Sequence, residues 1–499
     1  MANRKARALA AASLAWLMLV PVEAAAQFAA TSGLQPNREG QIAGKLRYRP
    51  DSEGGFVIEN GVERFNRPLY GGNTAFRVDG GDKPEFVLYL PGRGGNLRLA
   101  VERPGQPRWW LHDAASIVTR YLPGELQYEI RDPRLDGATL RLAVLAWRDA
   151  EGLVLRAEAK DAPRGTALRW AYGGVNGKRG KRDGDIGTEA VPISQWFALK
   201  PEFAEGNRIT ADRAGFTLAA RPATISGAVS NGTIGAIASA DDWENAERVF
   251  SGAAATGTRP VATGTLNLDG KPAYLSLQVT GRDTGPRDLA DYSEVTKGPT
   301  AKVADAAPLP RFAPGELAKR FDDTRAAFAA LRGQVRIDTP DPYLNSAMAA
   351  LNVAADAVWD GPQKSIMHGA IAWRTRLLGW RGPYALDALG WHDRAGANIR
   401  GWLPNQNVEP IPATIPPADE DANLARSENA LHSNGDLSRS HYDMNTVFID
   451  ALLRHLEWTG DVALAREAWP VIERHLAWQQ RLFRRPIGPE KLPLYEAYA

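Results

Sequence analysis

The chain has 499 residues, with 60 Lys and Arg against 58 Asp and Glu, a net charge of +2 and no cysteine. The charges are interspersed and no basic block carries interleaved aromatics, which argues against a nucleic-acid partner. The missing thiols exclude disulfides, thiolate zinc sites and thiol nucleophiles together.

At the start, Arg4, Lys5 and Arg7 precede an apolar run from Ala8 to Val20, which Pro21 ends ahead of Ala24-Ala25-Ala26. A basic start, a short apolar core and a small-residue exit predict a secretory signal over 1–26, cut after Ala26. The run is shorter than the roughly 20 apolar residues of a bilayer span, so no stable membrane insertion is expected after cleavage. The mature chain is expected in the periplasm or secreted.

Residues 27–305 predict an antiparallel β-sandwich. Phe86-Val87-Leu88-Tyr89-Leu90 is one apolar run, followed by the glycines of Gly92–Gly95. Leu97–Val101, Leu140–Val144, Leu153–Ala157 and Tyr274–Val279 carry the period-two pattern onward. Short strands punctuated by Gly and Pro point to a sandwich rather than to βαβ units. Gly71-Gly72-Asn73-Thr74 and Gly92–Gly95 read as turns and lack the Lys-Ser/Thr of a phosphate loop. Residues 306–335 predict a proline- and alanine-rich linker and a helix, Glu316–Leu331, with Leu317, Phe321, Phe328 and Leu331 on one face and Gly333 at its end.

From 336 to 499 the period changes to that of a helix. Pro342 after Asp341 opens one, whose apolar side is Leu344, Met348, Leu351, Ala355 and Val358. A second stretch begins near Tyr384 with Leu386, Leu389 and Ile399. A third runs from about Met444 through Val447, Leu452, Leu453 and Leu456 to Thr459-Gly460. Asp461 restarts a fourth through Leu464, Ala468, Ile472, Leu476 and Leu482. Short connections imply antiparallel helical hairpins. The long irregular stretch from 403 to 440 is expected to be functional, as such stretches inside compact domains usually are.

Three segments carry a resemblance. They are Asp338-Thr339-Pro340-Asp341-Pro342-Tyr343-Leu344-Asn345; Ala372-Trp373-Arg374 with Gly379-Trp380-Arg381-Gly382-Pro383-Tyr384; and Tyr442-Asp443-Met444-Asn445 with Glu457-Trp458-Thr459-Gly460-Asp461 and Trp469-Pro470. Together they resemble the six-hairpin glycosidases, rhamnosidase-like and fucosidase-like enzymes among them. The segment from Trp380 to Arg394 also resembles family 4450 of the domains of unknown function, from polysaccharide-degradation systems. The resemblance implies a multi-domain β plus α chain, with a β-sandwich followed over 336–499 by a partial (α/α)6 toroid. Four helices are legible where six hairpins close a ring, so a truncated chain is expected, aggregation-prone and nearly inactive. Val447, Leu452, Leu464 and Leu476 would then not all be covered.

Glycoside hydrolysis needs two carboxyl groups across the scissile bond. Asp387 is the first candidate, because burial among Ala, Leu and Tyr would raise its pKa; on one continuous helix Asp393 would face about 240° away. Asp393 can instead pair with a neighbouring arginine. Glu428 follows the acidic run Asp419-Glu420-Asp421, Asp443 opens a helix that it can also cap, and Glu496 lies in the last segment. Substrate binding falls to Trp373, Arg374, Trp380, Arg381, Tyr384, Trp391, His392, Trp402, His441 and Tyr442. Indole faces stack on sugar rings and guanidinium forks grip carboxylates, yet the same pairs also serve as packing between helices. His368, His392, His432 and His441 share no i, i+4 spacing, so no helical metal pair is expected, and no cofactor. The expected function is an exported glycoside hydrolase on a complex, uronate-containing polysaccharide. The alternatives are a polysaccharide lyase, with Tyr442 or His441 as base and Arg381 neutralising the uronate, or a non-catalytic carbohydrate-binding protein.

Overall fold

The computed structural model describes residues 47–495, with the exception of 73–75, 91, 177–192, 213–214, 222, 253–256, 283–310, 362, 368–375, 377–382, 407, 409–442 and 483. The expected signal and most of the linker lie outside the described residues. Among those described, no helix is long and apolar enough to cross a membrane.

The first half is built from two large antiparallel sheets. One has ten strands, in the spatial order Arg49–Pro50, Phe56–Glu59, Ser116–Leu122, Glu125–Arg131, Thr139–Ala146, Gly152–Lys160, Ala273–Arg282, Ala223–Ser230, Gly215–Ala219 and Arg208–Asp212. The other runs Gly232–Ile234, Pro260–Asn267, Ala167–Gly173, Gly92–Glu102, Phe86–Leu90, Arg77–Gly80 and Arg67–Tyr70, with two short strands pairing beside it. Both sheets turn one face into a shared core: Phe86, Leu88, Leu99 and Trp170 from the smaller, Leu140, Leu142, Val144 and Leu275 from the larger. Burying one such side chain stabilises by roughly 1.5–3 kcal/mol.

Alternation explains which strands carry a continuous apolar run. In Phe86–Leu90 the residues Phe86, Leu88 and Leu90 enter the shared core, while Val87 and Tyr89 meet Phe65 and Phe197 on the opposite face. With both faces covered, no polar residue interrupts the run. The expected turn at Gly92–Gly95 is corrected, because pairing resumes at once with Leu90 opposite Gly92 and Tyr89 opposite Arg93. Glycine is needed there for close approach, since a Cβ on Gly94 would stand 2.6 Å from the Leu88 carbonyl oxygen.

Helix α1 (Leu317–Arg332) lies on the outer face of the ten-stranded sheet. Leu317, Phe321 and Phe328 pack on Leu145, Trp147 and Tyr274. The Arg325 Nε donates to Glu125 across the same seam at 3.1 Å. Thr139–Ala146 therefore sends Leu140, Leu142 and Val144 inward and Ala143 and Leu145 outward under the helix.

Helix α2 (Pro342–Ala357) starts as its sequence requires, with the Asp341 carboxylate accepting from the Tyr343 N–H at 2.8 Å and Pro342 in the first turn. Its expected buried side is corrected: Leu344 and Leu351 are 53% and 49% exposed. Of the expected side Ala355 is buried, and it is joined there by Ser346, Asn352, Val353 and Asp356. Asn352 and Asp356 are held by specific partners, which apolar periodicity cannot register. The Asn352 side-chain amide donates to the Arg332 and Val335 carbonyls, at 2.9 Å each. Asp356 accepts from Arg148 of the sandwich at 2.6 Å and from Arg394 of the helical half at 3.0 Å.

The helix expected from Tyr384 to Ile399 is two: α3 (Pro383–Ala388) and α4 (His392–Trp402). Gly390 takes φ +76°. Its N–H donates to the Asp387 carbonyl at 3.0 Å and the Trp391 N–H to the Leu386 carbonyl at 2.7 Å. That paired closure with a left-handed glycine terminates a helix, and Leu386 meets Trp391 in the accompanying apolar contact. Helix α5 (Asp443–Thr459) ends before Gly460, and α6 (Val462–Leu482) begins with the Asp461 carboxylate accepting from the Leu464 N–H at 2.9 Å. Ile399, Trp402, Phe448, Leu452, Leu464 and Ile472 form the core between α4, α5 and α6. Of the four side chains expected to lack cover, Leu452 and Leu464 are fully buried, whereas Leu476 is exposed.

Candidate functional site

The break at Gly390 sets the geometry of the site. It turns α4 back so that Asp387, in the last turn of α3, meets His392, in the first turn of α4, with Oδ1 and Nδ1 2.8 Å apart. From α5, His455 brings its Nδ1 to 2.9 Å from the same Oδ1 and 3.0 Å from Oδ2. Asp387 is buried, as its apolar neighbours predicted. Both of its oxygens are therefore occupied by imidazole. A carboxylate in that position orients each ring with Nδ1–H toward it, leaving Nε2 for proton exchange.

The two histidines differ in access. The His455 side chain is 3% exposed and the His392 side chain 41%. Both line a cavity of about 600 Å³, together with Gln363, Lys364, Asp393, Arg400, Thr459 and Asp461. Arg400 pairs with Asp461 and Glu467 at 3.0 Å each. The Asp461 carboxyl is held below its ordinary range by the Leu464 N–H first and by Arg400 second. Asp393 and Lys364 face the cavity with no ion-pair partner among the described residues. Trp458, 61% exposed on α5, sets its ring 6.3 Å from that of His392.

Other candidates fall elsewhere. Trp402 is buried in the α4–α6 core with the Arg376 guanidinium 4.4 Å above its ring, and burial lowers the pKa of that arginine. Trp391 has Arg394 at 4.7 Å over its ring. In these two the indole face is taken by the protein's own arginine. Tyr384 donates to Asp450 of α5 at 2.8 Å, and burial followed by Asp450 raises its pKa well above the ordinary value. Asp443 is the first residue of α5. Trp373, Arg374, Trp380, Arg381, Glu428, His441, Tyr442 and Glu496 lie outside the described residues.

Sequence reasoning missed His455, Trp458, Lys364 and Arg400. A signal for His455 was present: Phe448, Leu452 and His455 follow one another at helical spacing on the buried side of α5. An imidazole inside an apolar stripe calls for a buried polar partner. The partner, 68 positions earlier, was not legible.

Residues 90–277 match the family described as Domain of unknown function (DUF4450). The match supports the resemblance to that family, but on the sandwich strands rather than on Trp380–Arg394, where the sequence had placed it. No curated protein matches the chain. Among solved structures, a bacterial glucoamylase complexed with acarbose aligns at 8% identity and a TM-score of 0.39, over 77% of this chain. The chain spans 56% of that glucoamylase's length. A TM-score at that level defines no shared fold.

Proposed function

We propose that the chain is an exported, carbohydrate-active enzyme whose site is the cleft at Asp387, His392 and Asp393, on helices that form part of an (α/α)6 toroid. The observation that carries the reading is the exposed Trp458 indole beside His392, whose ring is held by a buried carboxylate at a polar cavity. An indole platform takes the C–H face of a sugar ring, and an oriented imidazole exchanges protons at neutral pH. As a glycoside hydrolase, the site uses Asp393 to take a proton from the attacking water while protonated His392 gives one to the departing glycosidic oxygen. Asp387 and His455 are positioning residues in this account. Lys364 meets the carboxylate of a uronate.

One observation favours a second reading. An imidazole backed by a carboxylate, with a lysine across the cavity, also suits removal of the proton next to a uronate carboxylate, as in a polysaccharide lyase. A panel of polysaccharides, including polygalacturonate and alginate, separates the two. New reducing ends without an ultraviolet-absorbing double bond establish the hydrolase, and reducing ends with that absorbance establish the lyase. Binding with neither leaves a carbohydrate-binding protein, and no binding across the panel contradicts the proposal.

A further inference from the structure

A second cavity lies away from the cleft, where the edge strand Arg67–Tyr70 of the smaller sheet and the strands Phe56–Glu59 and Ser116–Leu122 of the larger meet helix α2. It measures about 380 Å³ and is walled by Tyr48, Tyr70, Tyr121, Phe56 and Pro68, with Arg67 and Asn66 as its polar members. Ala350, Val353 and Ala354 of α2 form the opposite wall. Small side chains at 350 and 354, one helical turn apart, leave the room that larger ones would fill. The volume is at the small end of the roughly 300–1,000 Å³ typical of ligand pockets.

Arg67 is the unusual member. Its guanidinium lies 4.3 Å from the centre of the Tyr48 ring and donates from Nη1 to the Asn66 carbonyl at 3.0 Å. No carboxylate pairs with it among the described residues, whereas the neighbouring Arg47 pairs with Asp82 and Glu63. Burial lowers the pKa of Arg67 from its ordinary value, with only the Tyr121 hydroxyl acting to raise it. A half-buried cation without a counter-ion is costly unless something supplies one. Among the described residues its Nε and Nη2 donate to nothing, which leaves that edge of the guanidinium for a planar, bidentate acceptor.

We propose that this pocket binds a carboxylate-bearing sugar unit, with the ring lying against the tyrosines and the carboxylate on the Arg67 fork. It rests on the acidic-sugar part of the functional reading and on no catalytic group. The pocket then holds a uronate chain while the cleft acts on it, and tethering of this kind raises the local concentration of polymer.

The test is calorimetric titration of the whole chain with an oligogalacturonate, carried out in the His392→Gln background so that turnover in the cleft is cut at least about a hundredfold. Neutral galacto-oligosaccharide serves as the comparator. The expected result is saturable binding of the acidic oligomer, at least tenfold tighter than the neutral one. Arg67→Gln should weaken it at least tenfold, and Ala354→Phe, at an exposed helix position, should block it by filling the cavity. Ala354→Phe leaves the arginine and its stacking intact, so it remains informative if Arg67→Gln fails to fold. Unchanged binding in folded Ala354→Phe, equal affinity for the two oligomers, or no binding at all overturns the proposal. Binding here in a protein inert on every polysaccharide sinks the enzymatic reading and leaves this pocket standing.

Discussion

The interior of the sandwich and the cleft of the helical half treat their buried polar groups in opposite ways. In the sandwich, buried charges close on one another. Glu85 takes Arg98 at 2.6 Å and Arg64 at 3.1 Å, and Arg98 also lies over the rings of Trp110 and Trp243. In the helical half the buried carboxylate Asp387 bonds two histidines, both of which line a cavity with Asp393 and Lys364. Buried polar groups that satisfy each other rigidify a core. Groups aimed into a cavity keep capacity for a ligand, and this contrast separates scaffold from site.

The largest stability effect expected lies at the seam between sandwich and α1. Phe321→Ala removes a fully buried ring packed on Tyr274, and should cost about 3–5 kcal/mol in denaturant unfolding. A smaller loss would mean that α1 is only loosely held to the sheet. Next comes Asp356→Asn, which weakens the bridge from Arg148 to Arg394. A loss of about 1–3 kcal/mol is expected, that of a partly buried charged pair left unmet, together with separate unfolding transitions for the two halves. A single unshifted transition would show that other contacts couple them.

Acid should distinguish the halves further. Burial first, then Arg98, Arg64 and Lys83, push the His112 pKa down to about 2, and burial pushes that of His475 down to about 4. Both are neutral in the fold and gain a proton on unfolding below pH 6.5. Their contribution is therefore complete above that pH and declines as the pH falls toward each folded value, by up to about 1.4 kcal/mol per unit and histidine. His475→Gln should flatten unfolding against pH between 6.5 and about 4, and His112→Gln should flatten it to lower pH as well. The smallest effect is expected at Leu476→Ala, on an exposed face of α6, where the change in unfolding free energy should stay within about 0.5 kcal/mol.

The contrast between the halves also governs what the sequence disclosed. Strand positions were legible because each strand meets two neighbours of fixed character, so Leu140-Arg141-Leu142-Ala143-Val144 announces its faces directly. The start of α2 was legible from Asp341-Pro342, which is local chemistry. Its buried face was not, because Asn352 and Asp356 are buried through partners distant in sequence, while Leu344 and Leu351 stand in solvent. Asp387 stood out as a carboxylate in an apolar setting, but its bonding to His455 is a tertiary fact. Gly390 carried the remaining clue: a left-handed glycine ends α3 and lets two residues expected on one helix lie on two.

The central claim is that His392, oriented by the buried carboxylate of Asp387, carries the chemistry of the cleft together with Asp393. The direct measurement is the turnover of His392→Gln on the best substrate of the polysaccharide panel, with its unfolding curve recorded alongside. The account predicts a loss of at least about a hundredfold, the scale for removing a general acid or base, with an unfolding midpoint like that of the unaltered protein. Full turnover in a folded His392→Gln protein would contradict it.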